Sequence, residues 1–118
     1  MAGIGIFAPP RQIPEPEWLR LDGRSWQALS HEAKEAYLAG FLAGTALAQA
    51  SEQGAADSAG LVHNLDNLSG TGYRFPYAPN VYEARLNDYY WYENQRPLPI
   101  WHALWEVNHD LTRQTDSQ

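Results

Sequence analysis

Residues 97–112 read PLPIWHALWEVNHDLT, and the apolar side chains in this stretch decide the fold. They recur three or four positions apart, which places them on one face of an α-helix, where they can form a core. The residues concerned are Ile100, Ala103, Leu104, Val107 and Leu111. Pro99 is well placed in the first helical turn, where a proline costs no hydrogen bond. We therefore predict a last helix that extends to about residue 112 and packs through this face.

An earlier stretch predicts the principal helix, over residues 31–50. Ser30 is a good N-cap residue, because its hydroxyl can accept a hydrogen bond from a free backbone N–H of the first turn. Glu32 and Glu35 follow, and carboxylates there interact favourably with the positive end of the helix dipole. A helix that starts at His31 is the expectation.

This principal helix carries no charged side chain over residues 36–51. A helix that is apolar nearly all round is usually central, so we expect neighbours on more than one of its faces. Gly40 and Gly44 lie one turn apart and lack side chains, which would let a second helix approach closely. Tight internal packing at these two glycines is therefore predicted.

Two further helices are predicted between these elements. Leucines at helical spacing in residues 61–68 favour a short helix. Asn80 and Glu83 match a capping box, in which each residue satisfies a backbone donor at the start of a helix. The corresponding helix should run from residue 81 to about 92.

The fold class that follows is all-α, a small compact bundle of three to four helices. Residues 1–17 are expected to form an extended arm, because prolines remove backbone donors and favour extended geometry. The prolines of this arm are Pro9, Pro10, Pro14 and Pro16. We expect a single helical domain over residues 18–113 and a C-terminal tail over residues 114–118.

The charge and composition exclude several classes of function. Fourteen acidic residues against eight basic ones give a formal net charge of −6, which disfavours nucleic acid as a partner. The absence of cysteine excludes disulfides, thiolate nucleophiles and Cys-ligated metals. No apolar stretch reaches the length of a transmembrane helix, and the N-terminus lacks the basic start of a signal peptide. A cytoplasmic protein is expected, and it could still sit beside a membrane complex.

Fifteen aromatic residues are more than so small a domain is expected to bury completely. Exposed tryptophan and tyrosine side chains often dominate protein–protein interfaces. We therefore predict a partner-binding surface made from the apolar start of the arm and from the aromatic residues near the last helix. The predicted contact residues are Ile4, Ile6, Phe7, Trp91, Trp101 and Trp105.

The best candidate for chemistry is the set His102, Glu106 and His109, which recur at one-turn spacing on the last helix. Imidazole and carboxylate groups so placed can bind zinc or another divalent ion. A solvated polar face is the simpler interpretation and is favoured. We therefore predict no metal, no cofactor and no catalytic residue.

Two blocks of the sequence, WQALSHEAKEAYLAGFLAG and LNDYYWYENQRPLPIWHAL, resemble a pattern in short, uncharacterised bacterial helical proteins. The shared pattern is Trp-x-x-Leu-Ser, then Lys-x-x-Tyr-x-x-Gly-Phe, and later an aromatic pair, Asn and Pro-x-x-x-Ala. It covers residues 26–44 and 86–104 and implies no known activity. The layout of the helices is also similar, at a distance, to Rap1a/Tai-type immunity proteins, whose export signal and cysteines this chain lacks.

These observations favour a non-catalytic, protein-binding or accessory subunit of a larger bacterial assembly, which could be multi-subunit or membrane-associated. A homo-oligomer stays open. The first alternative is a small acidic inhibitor or immunity protein that blocks the basic groove of an enzyme. The second alternative is a metal-dependent enzyme that uses His102, Glu106 and His109.

Overall fold

The computed structural model describes residues 17–116. Apart from one isolated β-bridge, all regular secondary structure in this range is helical. The α-helices are α1 (Gly23–Ala28), α2 (His31–Ser51), α3 (Ser58–Thr71), α4 (Pro79–Tyr89) and α5 (Ile100–Asp116). Short 3-10 turns lie at Glu17–Leu19 and Glu93–Gln95. The predicted all-α class is confirmed. The predicted arm lies outside the described residues except for Glu17.

Helix α2 begins where the sequence predicts. The Ser30 hydroxyl accepts a hydrogen bond from the backbone N–H of Ala33 at 3.1 Å, which is the geometry of an N-cap. The helix ends at Ser51, within one residue of the predicted end. Its turn to α3 is held by Asn64, which donates to the carbonyl oxygens of Ala50 and Gly54.

Helix α4 begins and ends differently from the prediction. The prediction of a capping box is wrong, because the helix starts at Pro79. The residue before it, Ala78, makes no capping hydrogen bond through its side chain. Glu83 is buried and contacts His31 across the bundle, so its carboxylate cannot return to a cap position. The helix ends at Tyr89 and not at residue 92. Just beyond this end, the carbonyl oxygen of Tyr90 accepts hydrogen bonds from two side chains.

The core lies where α2, α4 and α5 meet, with α1 against its edge. Helix α2 packs against α3 and α4, and α4 packs against α5. The predicted stripe on α5 is confirmed, since all five of its residues are buried. The rest of the core cluster consists of Trp26, Leu38, Tyr82, Leu86 and Tyr90. The core thus joins one side chain from α1 and one from α2 to a hairpin of α4 and α5.

Three large rings in the core have polar atoms, and each of these atoms has a hydrogen-bond partner. Trp26 donates from Nε1 to Asn87 Oδ1 at 2.9 Å. The hydroxyl of Tyr82 donates to Asn108 Oδ1 at 2.7 Å, and that of Tyr90 donates to the carbonyl oxygen of Leu98 at 2.8 Å. Because no polar atom of these rings is left unpaired, they can be buried completely without an electrostatic penalty.

The expected neighbours of α2 are present, since it packs against both α3 and α4, but the prediction of close packing at its glycines is wrong. Gly40 and Gly44 are exposed, and a Cβ built on either would meet no atom within 4 Å. Only Leu38 and Ala50 are buried among the residues of α2. Alanine and glycine bury little apolar area, and the contacts of α2 with the core cluster are made by Tyr37, Leu38, Phe41 and Leu42. None of the helices within residues 17–116 has the length and hydropathy needed to cross a bilayer.

Candidate protein-binding surface

The start of the described chain pairs with the entry to α5. Asp22 and Pro99 form an antiparallel bridge, and the backbone N–H of Ile100 donates to the carbonyl oxygen of Leu21 at 2.8 Å. The N–H of Gly23 donates to the carbonyl oxygen of Arg96 at 2.9 Å. These bonds fix the turn at residues 17–22 against the first turn of the last helix.

An open groove of about 400 Å³ lies at this junction. Its walls are Leu19, Arg20, Pro97, Pro99 and Trp101. Trp101 donates from Nε1 to the carbonyl oxygen of Leu19 at 3.1 Å, which holds the indole against the turn. The groove is thus bounded by two prolines and by an indole whose polar atom is already satisfied.

The tryptophans divide sharply between core and surface. All five lie within the described residues, and Trp26 alone is fully buried. The exposed fractions are 65% for Trp18, 75% for Trp91, 49% for Trp101 and 58% for Trp105. Four large indoles therefore remain at least about half exposed to solvent.

Trp101, Trp105 and His109 lie one turn apart along the outside of α5, and we call this row the α5 ridge. The rings of Trp105 and His109 are stacked, with centroids 5.4 Å apart and planes 5° from parallel. Trp101 is held by its hydrogen bond to Leu19. Each indole of the ridge therefore has an intramolecular partner that restricts its rotation, while its free face remains in solvent.

The other predicted contact residues lie elsewhere. Trp91 is the most exposed of the tryptophans and occupies the turn after α4, beside the exposed Tyr92. Tyr92 lines a smaller groove of about 240 Å³ between α4 and α5. Ile4, Ile6 and Phe7 lie outside the described residues. Of the three predicted contact residues within the described range, Trp101 and Trp105 lie together and Trp91 lies apart from them.

The candidate metal ligands on α5 do not converge. His102 Nε2 lies 2.9 Å from Glu106 Oε1, but the other oxygen of Glu106 accepts a hydrogen bond from the hydroxyl of Tyr89 at 2.9 Å. Burial and this carboxylate raise the pKa of Tyr89 above its ordinary value. His109 is stacked on Trp105. Both carboxylate oxygens and the second imidazole thus already have partners within the protein.

A different group of ionisable side chains is brought together at the start of α2. The ligand atoms of His31, Glu35 and Glu83 all lie within 4.8 Å of one another, and no other trio of His, Asp or Glu in residues 17–116 does so. His31 Nδ1 lies 2.6 Å from Glu83 Oε2. The hydrogen bond that the imidazole donates to this carboxylate, and then the charge of the carboxylate, raise the pKa of His31 above its ordinary value.

Sequence reasoning did not find this group. The one-turn spacing of His31 and Glu35 was visible, but it is equally typical of a solvated first turn. Glu83 matches a capping box in the sequence, and only the packing of α4 on α2 shows that it faces His31. The sequence therefore contained a signal for only two of the three residues, His31 and Glu35.

Comparisons of the chain with family models, with curated proteins and with solved structures find no match, so the surface has to be interpreted from its own chemistry.

Proposed function

We propose that this chain is a non-catalytic protein-binding subunit that docks onto another protein through the α5 ridge and the adjoining groove. The observation that carries the proposal is the exposure of Trp101 and Trp105, which are 49% and 58% accessible on one helix face. Tryptophan is the residue type most enriched at the energetic centres of protein interfaces. Apolar rings left together at a surface are typical of a binding site.

The fixed positions of the two indoles support this surface over the turn that carries Trp91. Immobilising a side chain on binding costs roughly 0.5–1.5 kcal/mol, and a ring that is already held loses less. Trp101 is held by the carbonyl oxygen of Leu19, and Trp105 by the ring of His109. Within residues 17–116, no hydrogen bond or ring contact is found for the side chain of Trp91, whose backbone alone is bonded.

The partner that fits this surface is a protein with an apolar pocket for one or two indoles. The net charge of −6 favours a partner with a basic surface around that pocket. The same proposal makes the chain part of a larger assembly, whether or not that assembly is attached to a membrane.

The test is affinity isolation of the tagged chain from its native cells, followed by quantitative mass spectrometry. Trp101→Ala and Trp105→Ala should each lower recovery of the specific partner, because losing a central tryptophan typically costs 2 kcal/mol or more, about 30-fold in affinity. Leu47→Ala and Val62→Ala are matched controls, since both side chains are exposed and apolar but lie on α2 and α3. Full recovery by a folded Trp101→Ala/Trp105→Ala variant would refute the proposal.

Salt dependence separates this proposal from an acidic inhibitor that blocks an enzyme. Docking through indoles should lose only a minor part of its affinity between low and high salt, because ring burial is not screened and only the attraction of the surrounding charges is. An inhibitor that acts through its carboxylates should lose affinity steeply over the same range. Titration of the purified partner at two salt concentrations gives the answer.

A further inference from the structure

The start of α2 and the first turns of α4 bring together one imidazole and two carboxylates. His31 is the first residue of α2, Glu35 lies one turn later on the same helix, and Glu83 faces them from α4. Their ligand atoms lie within 4.8 Å of one another. The group therefore joins two helices that are far apart in the sequence.

A second, independent observation concerns Glu35. One of its carboxylate oxygens, Oε2, is buried and has no hydrogen-bond partner. It is the one buried side-chain nitrogen or oxygen without a partner in the described part of the chain. A buried polar atom without a partner is costly, and a carboxylate oxygen more so, because its charge is removed from water. A bound cation would compensate that cost.

The exposure of the three residues suits a ligand that enters from solvent. The side chain of Glu83 is only 10% exposed, whereas that of His31 is 72% exposed. The buried Glu83 carboxylate thus has a fixed position, whereas the exposed His31 side chain can rotate on the solvent side of the site. The open side also leaves room for water molecules to complete the coordination of an ion.

We infer that His31, Glu35 and Glu83 form a binding site for a divalent transition-metal ion, with zinc as the preferred probe. One imidazole nitrogen and two carboxylate oxygens are a set of ligands that suits zinc. Magnesium and calcium prefer sites made of oxygen ligands alone, so the imidazole favours zinc over them. Ligands at about 2.0–2.2 Å from zinc must lie roughly 3–3.5 Å apart. His31 Nδ1 now lies only 2.6 Å from Glu83 Oε2, so the exposed His31 side chain has to rotate away from Glu83 to admit the ion.

Metal binding would replace the present contact between His31 and Glu83. The imidazole must coordinate as the neutral base, so any proton shared between these two groups leaves to solvent when the ion binds. The ion would then tie the start of α2 to α4. This site is independent of the α5 ridge and does not depend on the proposed docking function.

The test uses the full chain after treatment with a chelator, with zinc chloride in calorimetry and cobalt chloride in absorption spectroscopy. One ion should bind per chain, and His31→Ala and Glu35→Gln should each lower zinc affinity by about 10-fold or more. His31→Ala removes an exposed side chain, so this variant should still fold. Glu32→Gln is the matched control, since Glu32 is an exposed carboxylate in the same turn that does not belong to the trio.

Thermal unfolding gives a second measurement. Zinc at about 100 times its dissociation constant should raise Tm by about 10 °C in the unaltered chain and far less in His31→Ala. Absence of saturable binding would overturn the inference. So would binding that persists in His31→Ala and Glu35→Gln but is lost in His102→Ala, because the ion would then lie on α5.

Discussion

A methyl group added at Gly23 would collide with the ring of Tyr90. A Cβ built on Gly23 would lie 2.3 Å from Cδ1, 2.6 Å from Cε1 and 2.8 Å from Cγ of that ring. The ring cannot easily move, because its hydroxyl is bonded to Leu98 and its edge contacts Tyr89 at a centroid distance of 5.1 Å. Gly23→Ala should therefore force a shift of α1 away from the core.

The expected cost combines two destabilising terms and one stabilising term. Overpacking of a filled core costs about 1–3 kcal/mol, and loss of the Tyr90 hydrogen bond would add about 1 kcal/mol. Alanine is the better helix former, by at most about 1 kcal/mol relative to glycine. The free energy of unfolding should therefore fall by about 2 kcal/mol, which corresponds to a decrease in Tm of about 10 °C.

Urea denaturation followed by circular dichroism measures this change, and Gly44→Ala supplies the matched control. Gly44 is exposed, and a Cβ there would meet no atom within 4 Å, so only the helix propensity acts. Gly44→Ala should raise the free energy of unfolding by about 1 kcal/mol. The packing argument fails if Gly23→Ala is as stable as the unaltered chain, or if Gly44→Ala is the more damaging substitution.

Three further outcomes are expected. Ser30→Ala should lower the free energy of unfolding by about 1 kcal/mol, measured with urea, because α2 loses its N-cap; no change would mean that the hydroxyl is dispensable. Burial raises the pKa of Tyr82 to about 12 and also raises the pKa values of Tyr89 and Tyr90, so the late part of an ultraviolet titration should lose the amplitude of one tyrosine in Tyr82→Phe. Because the folded pKa is the higher one, this contribution to stability is complete below about pH 10 and is lost as the pH rises toward 12. In metal-free buffer, NMR should place the pKa of His31 above its ordinary value, and Glu83→Gln should lower it; an unchanged pKa would contradict the contact.

The parts of the fold that depend on local pattern could be predicted from the sequence. The stripe from Ile100 to Leu111 identified the core face of α5, because helical spacing and apolar character are both local properties. Ser30 marked the start of α2 for the same reason. The composition also indicated more aromatic side chains than the core of so small a domain can bury. Trp101 and Trp105 are exposed, as this argument expects.

The parts that failed depend on which neighbour each side chain meets. Glu83 has the spacing of a capping residue, but a histidine on another helix competes for its carboxylate. Gly40 and Gly44 have the spacing of a packing site, but no helix in the described part of the chain covers them. In both cases the sequence pattern permits two arrangements, and only the tertiary packing selects one.

The first amide of α5 has a consequence for the order in which the chain can become structured. The backbone N–H of Ile100 donates to the carbonyl oxygen of Leu21. A residue distant in sequence thus accepts the hydrogen bond that a neighbouring cap residue usually accepts. During synthesis this acceptor leaves the ribosome long before the amide does. Proteolytic removal of residues 17–22 should accordingly accelerate amide hydrogen exchange at Ile100, although the entire sequence of α5 would remain intact.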